Sequence, residues 1–112
     1  MYSEPGKTFD LESLSRYDGN NPSGLIYIAI KGKVYDVSHR TQYYGRGGSY
    51  EILAGKDATV NLAKFTKDPE HIPRPGDSIY DLSSFTENEW KELNKWIAFF
   101  DDRYQVVGSL VY

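Results

Sequence analysis

Residues 25–37 read Leu-Ile-Tyr-Ile-Ala-Ile-Lys-Gly-Lys-Val-Tyr-Asp-Val, and this stretch holds the clearest strand signals in the chain. Two runs rich in β-branched and aromatic residues, 25–30 and 34–37, flank the short polar turn Lys31-Gly32. Such residues fit a pleated, half-buried surface, and a short glycine-containing connection between them is typical of a hairpin. The stretch therefore predicts two antiparallel strands.

Short helices are predicted on both sides of this hairpin. Asp10 is a suitable N-cap for the first, with Phe9 and Leu14 as a hydrophobic staple. That helix ends at Asp18-Gly19, and its apolar face consists of Leu11, Leu14 and Tyr17. Ser49 would cap a second helix that ends at Gly55. Asp57 would cap a third, whose buried face consists of Ala58, Leu62 and Phe65.

The strongest helix signal comes near the end of the chain. Thr86 and Glu89 form a capping box, and Phe85 with Trp90 supplies a staple. Apolar residues then recur at steps of three and four: Trp90, Leu93, Ile97, Phe100 and Tyr104. Residues 106–111 predict a closing strand, and the prolines within 67–78 predict a loop. The order of these elements favours an α+β fold.

Composition excludes several classes of protein. The 112 residues suit one domain spanning 1–112, and the net charge of -3 with both signs interspersed excludes an electrostatic nucleic-acid interface. Zero cysteines exclude disulfides and thiolate chemistry. The longest apolar run, 25–30, is far shorter than the roughly 20 residues of a membrane-spanning helix. We expect a chain that is soluble as given and cytoplasmic, with peripheral association with the endoplasmic reticulum as the alternative.

The chain is rich in tyrosine, with 10 Tyr against 5 Phe and 2 Trp. Tyr43, Tyr44 and Tyr50 flank the glycine-rich segment 45–48, and Tyr104 follows Arg103. These phenols could stack on a flat hydrophobic ligand while Arg103 meets a carboxylate. Packing residues and a plain flexible turn are the alternative interpretations.

No motif indicates catalysis. His39 and His71 do not have the spacing of a zinc site, and the glycine-rich segment lacks the Gly-Lys-Ser/Thr ending of a phosphate-binding loop. The serine, histidine and acidic residues carry no hydrolase signature. We therefore expect no enzyme activity.

Several ordered motifs carry a family resemblance. Residues 32–38, Gly-Lys-Val-Tyr-Asp-Val-Ser, are similar to a hairpin of cytochrome b5-like domains. Segments 44–45 (Tyr-Gly), 48–50 (Gly-Ser-Tyr) and 53–59 (Leu-Ala-Gly-Lys-Asp-Ala-Thr) resemble the membrane-associated progesterone receptor family. Leu82 with Phe85-Thr86, Trp96, and segment 103–108 (Arg-Tyr-Gln-Val-Val-Gly) resemble later parts of that family. The match covers a core of about residues 9–110.

This resemblance implies a cytochrome b5-like fold, in which a small mixed sheet and short helices form a ligand cleft beside a long C-terminal helix. It also implies a five-coordinate ferric haem b, with Tyr50 as the metal ligand and Tyr44 as its hydrogen-bonding neighbour. Arg103 and Tyr104 match the family's Lys-Tyr pair near the haem, and Gly45 and Gly48 would let the loop approach the porphyrin edge. Arginine in place of lysine keeps the charge but changes the geometry.

The implied function is haem binding with a role in sterol or cytochrome P450 metabolism. A haem-independent steroid- or lipid-binding module is the alternative, and a scaffold with packing tyrosines is a third. The implied partners are haem, a steroid and cytochrome P450 enzymes, and haem-mediated homodimerisation stays open. The family often has an N-terminal membrane helix, and residues 1–9 contain no such segment.

Overall fold

The sheet of this protein has four strands, and the structure, a computed structural model, describes residues 7–112. The strands are β1 (Thr8–Phe9), β2 (Tyr27–Ile30), β3 (Lys33–Asp36) and β4 (Gln105–Leu110). Their order in the sheet is β1-β4-β3-β2. β1 runs parallel to β4, and the other neighbours are antiparallel, so the sheet is mixed, as the resemblance implied.

The predicted hairpin is confirmed as β2 and β3. Ile28 pairs with Tyr35, and Ile30 pairs with Lys33. The connecting residues Lys31 and Gly32 both have positive φ, at 49° and 83°. A two-residue turn with positive φ at both positions has the twist that antiparallel strands require. Local backbone chemistry therefore sets the register of the hairpin.

Within residues 7–112, four α-helices pack around the sheet. They are α1 (Leu11–Ser15), α2 (Thr41–Tyr44), α3 (Thr59–Lys64) and α4 (Glu87–Arg103). Short 3₁₀ turns cover Glu51–Leu53, Pro69–His71 and Leu82–Ser84. The capping box of α4 is present, since the Thr86 hydroxyl accepts from the Glu89 amide at 3.1 Å. Within the described part of the chain, no helix is long and apolar enough to cross a membrane.

The first two short helices differ from the predictions in their ends and caps. Asp10 caps α1 as predicted, but α1 ends at Ser15, and Tyr17 lies beyond it. The Ser49 cap is wrong, because the 3₁₀ turn that follows begins after Tyr50 and has no side-chain cap. The segment is too short for a full α-helical turn, so it forms a 3₁₀ turn that stops before Gly55.

The third short helix also departs from its prediction. Ala58 is its N-cap residue, although the Asp57 carboxylate still accepts from the Thr59 amide at 3.1 Å. Phe65 is not on a buried face. It ends α3 in a left-handed conformation, at φ 52°, and is 69% exposed. The helix therefore ends at Lys64, one residue before its last predicted apolar contact.

Both faces of the sheet are buried. Side chains of successive strand residues point to opposite faces, so Ile28 and Tyr35 pack with α4 residues such as Phe100 on one side. Ala29 and Val34 pack with α1 on the other side. The larger of these two clusters also contains Tyr44, Leu93 and Tyr104. It therefore fixes the C-terminal end of α4 next to α2.

A tyrosine-lined cleft as the candidate functional site

A cleft of about 360 Å³ opens between α2, the loop that follows it and the C-terminal half of α4. Its lining consists of Arg40, Tyr43, Tyr44, Tyr50, Trp96, Phe99, Arg103 and Tyr104. The fold thus brings together Tyr44, Tyr50, Arg103 and Tyr104, which the sequence analysis singled out. Its volume lies within the roughly 300–1,000 Å³ that is usual for small-molecule sites.

A tight loop places Tyr50 against Tyr44. The Gly48 amide donates to the Gly45 carbonyl at 2.9 Å, and the Tyr50 amide donates to the Tyr43 carbonyl at 2.7 Å. A Cβ atom on Gly48 would lie 2.5 Å from the Tyr43 carbonyl oxygen. Glycine is therefore required here so that the chain can turn back on α2.

Gly45 and Gly48 lie behind the cleft wall, where they allow this loop to pack closely on α2. A Cβ atom on Gly45 would lie 2.7 Å from the Thr41 carbonyl oxygen, so the close neighbours of both glycines are backbone atoms of α2. Neither glycine is among the residues that line the cleft.

Tyr44 and Tyr50 have different surroundings. Tyr44 is 5% exposed, and its ring centroid lies 6.2 Å from that of Tyr50. Burial raises the pKa of Tyr44, with a further rise from the neighbouring tyrosines, so this phenol keeps its proton. Tyr50 is half-buried. Its ring lies 5.4 Å from the Lys67 ammonium, which also donates to the Ser49 carbonyl at 2.8 Å.

Tyr104 and Arg103 close the opposite wall. Tyr104 is 8% exposed, and its ring packs edge-on against Phe100 with centroids 4.9 Å apart. Burial raises the pKa of Tyr104, while the neighbouring Arg40 and Arg103 guanidinium groups oppose that rise. Arg103 lies 4.0 Å above the ring centroid of Phe99 and forms an ion pair with Asp102 at 3.3 Å.

Three lining residues were not predicted as ligand contacts, namely Arg40, Trp96 and Phe99, whereas Tyr43 belongs to the predicted group of phenols. Trp96, Phe99 and Arg103 follow one another at steps of three and four along α4, and this spacing was the available signal. No comparable pattern marks Arg40. Its Nε atom is shielded from solvent and has no hydrogen-bond partner among residues 7–112.

The histidines do not contribute to this cleft. The His39 ring lies 5.7 Å from the Tyr104 ring, outside the lining, and His71 lies in the 3₁₀ turn Pro69–His71. Across the described residues, no cluster of three or more His, Asp or Glu side chains is arranged for a metal ion. The cleft therefore offers phenol oxygens as its candidate metal ligands.

Residues 10–74 match the family described as the cytochrome b5-like heme/steroid binding domain. The chain belongs to this family. An Arabidopsis thaliana member, named "Probable steroid-binding protein 3", is 42% identical over 103 residues, covering 92% of this chain and 97% of the relative. A cytochrome P450 regulator of Schizosaccharomyces pombe is 42% identical over 99 residues, covering 88% of this chain and 59% of the relative.

Human membrane-associated progesterone receptor component 2 is a further relative, 37% identical over 94% of this chain. These relatives confirm the resemblance to the progesterone receptor branch. The chain spans 45% of the human protein, however, so that protein also contains sequence with no counterpart here.

Solved structures confirm the cytochrome b5-like fold. An Arabidopsis thaliana protein described as having that fold matches with a TM-score of 0.80 and 40% identity, covering 99% of this chain and 96% of the other. The solution structure of an Arabidopsis steroid-binding protein candidate matches with the same TM-score of 0.80, at 41% identity, covering 96% and 99% of the two chains.

The cleft of this family member fits a haem in its chemistry. Tyrosine oxygen is a known axial ligand of haem iron. Aromatic side chains such as Trp96 and Phe99 suit a flat conjugated ring, and Arg40 has a buried N–H without a hydrogen-bond partner in the described chain. A guanidinium matches the planar geometry of a carboxylate, the group that haem carries on its edge.

Proposed function

We propose that this chain binds ferric haem b in the tyrosine-lined cleft, with the Tyr50 phenolate as the single axial ligand. The observation that carries the proposal is the contrast between two adjacent phenols. Tyr44 is 5% exposed and held in its neutral form by burial, whereas Tyr50 is half-buried and faces a lysine ammonium. An anionic oxygen ligand favours Fe(III) and a low reduction potential.

The neighbouring side chains would orient and retain the ligand. Tyr44 keeps its proton and lies with its ring 6.2 Å from that of Tyr50, so it would donate a hydrogen bond to the Tyr50 oxygen, as residues around metal ligands commonly do. Tyr104 would donate toward a carboxylate of the ligand, and the guanidinium of Arg103 would add positive charge there. Haem itself would supply the redox-active iron.

In the cell, we propose a binding and regulatory role rather than catalysis. One relative is named a cytochrome P450 regulator, and others are named steroid-binding proteins or progesterone receptor components. Among the described residues, the lining of the cleft includes no histidine or carboxylate that could serve as an acid–base catalyst on bound oxygen species. A haem-loaded chain would therefore act on cytochrome P450 enzymes by contact, at the surface of the endoplasmic reticulum where sterol metabolism takes place.

Titration with ferric haem tests this proposal. We expect the wild type to bind one haem per chain, with the absorption spectrum of a five-coordinate phenolate complex. Tyr50→Phe removes the ligating oxygen and keeps the ring. Because loss of even an indirect metal contact costs about 10–100-fold in affinity, we expect at least that loss, together with loss of the phenolate charge-transfer band.

Tyr43→Phe is the matched control, since Tyr43 lines the same cleft and is 42% exposed. It should leave the spectrum unchanged and the affinity within about threefold. An unaltered spectrum in Tyr50→Phe would exclude tyrosinate ligation by this residue. Absence of saturable haem binding by the wild type would exclude the proposed function.

A second candidate function is haem-independent steroid binding, which the names of the relatives favour. A separate apolar cavity of about 370 Å³ lies against the proline loop, and its lining includes Leu11, Ile52, Ile72, Pro73 and Pro75. Saturable binding of a radiolabelled sterol to the haem-free protein supports this candidate. If Tyr50→Phe and excess haem leave that binding unchanged, the steroid site is separate from the tyrosine-lined cleft.

A further inference from the structure

Arg40 is a cation in the cleft wall that lacks an anionic partner. Its Nε atom is buried and makes no hydrogen bond within the described residues, and no carboxylate of residues 7–112 forms an ion pair with its side chain. The groups that face it are the phenols of Tyr44 and Tyr104, and the Tyr104 phenol is also a hydrogen-bond partner of its guanidinium, which leaves Nε unpaired. An N–H group that is buried without a partner costs folding free energy, so such a group is expected to acquire one on ligand binding.

The backbone holds Arg40 firmly at this position. Its amide donates to the Val37 carbonyl at 2.9 Å, and its carbonyl accepts from the amides of Tyr43 and Tyr44, each at 3.0 Å. These bonds join the end of the hairpin to α2. The side chain of Arg40 therefore starts from a fixed backbone position beside the cleft. A substitution of Arg40 keeps these hydrogen bonds, because they involve backbone atoms alone.

Arg103, the arginine that the family resemblance indicates, is less available. Its side chain is 43% exposed, pairs with Asp102 at 3.3 Å and stacks on Phe99 at 4.0 Å. Because Arg103 is this exposed, an ion pair between it and a ligand carboxylate is screened by water and contributes little binding energy. Of the two arginines in the cleft, only Arg40 has a buried N–H group without a hydrogen-bond partner among the described residues.

We propose that Arg40 is the principal carboxylate-binding residue of the cleft, and that it makes the cleft selective for flat ligands that carry a carboxylate. This inference rests on the proposed function, since the porphyrin of haem belongs to that class of ligand. Arg40 would also let the cleft distinguish porphyrins from neutral sterols, which have an apolar surface but no anionic group. The planar guanidinium accepts a carboxylate in a two-pronged geometry that lysine does not provide.

The experiment measures the binding of two probes to the full chain: iron-free protoporphyrin IX and its dimethyl ester. The ester has the same ring without the charges, and neither probe requires an iron ligand. Fluorescence titration gives the affinities for the wild type, Arg40→Met and Arg103→Met. Circular dichroism and thermal unfolding establish that each variant is folded, and Arg40→Lys provides a second variant that keeps the charge.

We expect Arg40→Met to weaken protoporphyrin IX binding about tenfold, the typical effect of losing a charge-assisted hydrogen bond. Binding of the dimethyl ester should change less than about twofold, because no charge contact is lost. Arg103→Met should weaken protoporphyrin IX binding less than about threefold. Arg40→Lys should fall between the wild type and Arg40→Met.

Three results with the variants overturn the inference: an equal loss for both probes in Arg40→Met, no loss for either probe, or a larger loss in Arg103→Met than in Arg40→Met. Failure of wild-type binding to both probes overturns it as well. The proposed function is tested separately by the iron-dependent spectrum and Tyr50→Phe. A chain that lacks the phenolate spectrum and still needs Arg40 for protoporphyrin IX would retain this inference alone.

Discussion

The rings of Tyr44 and Tyr50 lie 6.2 Å apart, yet the fold gives the two phenol groups different surroundings. Tyr44 packs into the main core beside Phe100, where water cannot solvate a phenolate. Tyr50 packs on the edge of the same core and has a lysine ammonium 5.4 Å from its ring centroid. A metal bound by one of these phenols would therefore be bound by Tyr50, with Tyr44 as the neutral donor beside it.

Lys67 stabilises the loop that presents Tyr50. Its ammonium donates to the Ser49 carbonyl at 2.8 Å and lies over the Tyr50 ring. Lys67→Met removes both contacts, which are together worth about 1 kcal/mol at an exposed site. We expect the haem affinity to fall about fivefold, because 1 kcal/mol corresponds to that factor. Amide hydrogen exchange at Tyr50 should become faster in the haem-free protein.

Lys95→Met is the control for this prediction. Lys95 also forms a polar contact, an ion pair with Glu92 at 3.2 Å, but it lies outside the cleft lining. It should change neither the haem affinity nor the exchange at Tyr50. An unchanged affinity in Lys67→Met would show that the loop keeps its position without the lysine.

At the scale of single elements, α3 ends on an unfavourable residue. Phe65 adopts φ 52° and ψ 53° at the C-cap and is 69% exposed, so it bears the cost of a left-handed conformation without the benefit of burial. That conformation costs a non-glycine residue about 1–2 kcal/mol, whereas glycine adopts it readily. The predicted burial of Phe65 failed because the helix ends before the side chain reaches the core.

Phe65→Gly should therefore stabilise the protein. We expect a gain of about 0.5–1 kcal/mol, after the greater entropy of glycine in the unfolded chain is subtracted. Phe65→Ala keeps the unfavourable backbone and serves as the control, with no gain expected. Urea unfolding of the three proteins measures the difference, and equal stability of the glycine and alanine variants would contradict the backbone explanation.

Across the whole molecule, burial of tyrosine makes stability sensitive to alkaline pH. Burial raises the pKa of several tyrosines above the usual value of about 10, and these are Tyr27, Tyr35, Tyr44, Tyr80, Tyr104 and Tyr112. Two of them also donate to carboxylates at 2.6 Å, Tyr35 to Asp101 and Tyr112 to Asp57. The folded protein thus retains phenol protons that the unfolded chain loses.

The sign of the pH dependence follows from this difference in bound protons. The contribution of each raised tyrosine is fully present below pH 10, and it is lost as the pH rises from there through the folded pKa. We expect the free energy of unfolding to fall above pH 10, by up to about 1.4 kcal/mol per pH unit for each such tyrosine. Tyr35→Phe should make the free energy of unfolding fall less steeply with pH, by about the contribution of one tyrosine.

Urea unfolding between pH 8 and 11 measures this slope. If the wild type and Tyr35→Phe lose stability at the same rate, the buried phenol of Tyr35 does not contribute to the alkaline transition.

The amino-acid sequence by itself determined the parts of the fold that depend on near neighbours. The hairpin follows from two runs of β-branched and aromatic residues on either side of Lys31-Gly32, and α4 begins where Thr86 and Glu89 cap each other. These interactions join residues that are at most a few positions apart, so the pattern in the sequence contains them. The ordered motifs likewise indicated the family and the tyrosines of the cleft.

Only the tertiary structure decided which residues complete the lining of the cleft, and how its tyrosines and arginines differ in burial and hydrogen bonding. Arg40 meets Trp96 and Phe99 because the core packs α4 against α2, across more than fifty positions of sequence. The contrast between Tyr44 and Tyr50 and the unpaired N–H of Arg40 arise from desolvation, which distant neighbours impose. Desolvation has no period or spacing in the sequence, and for that reason it becomes visible only in the folded chain.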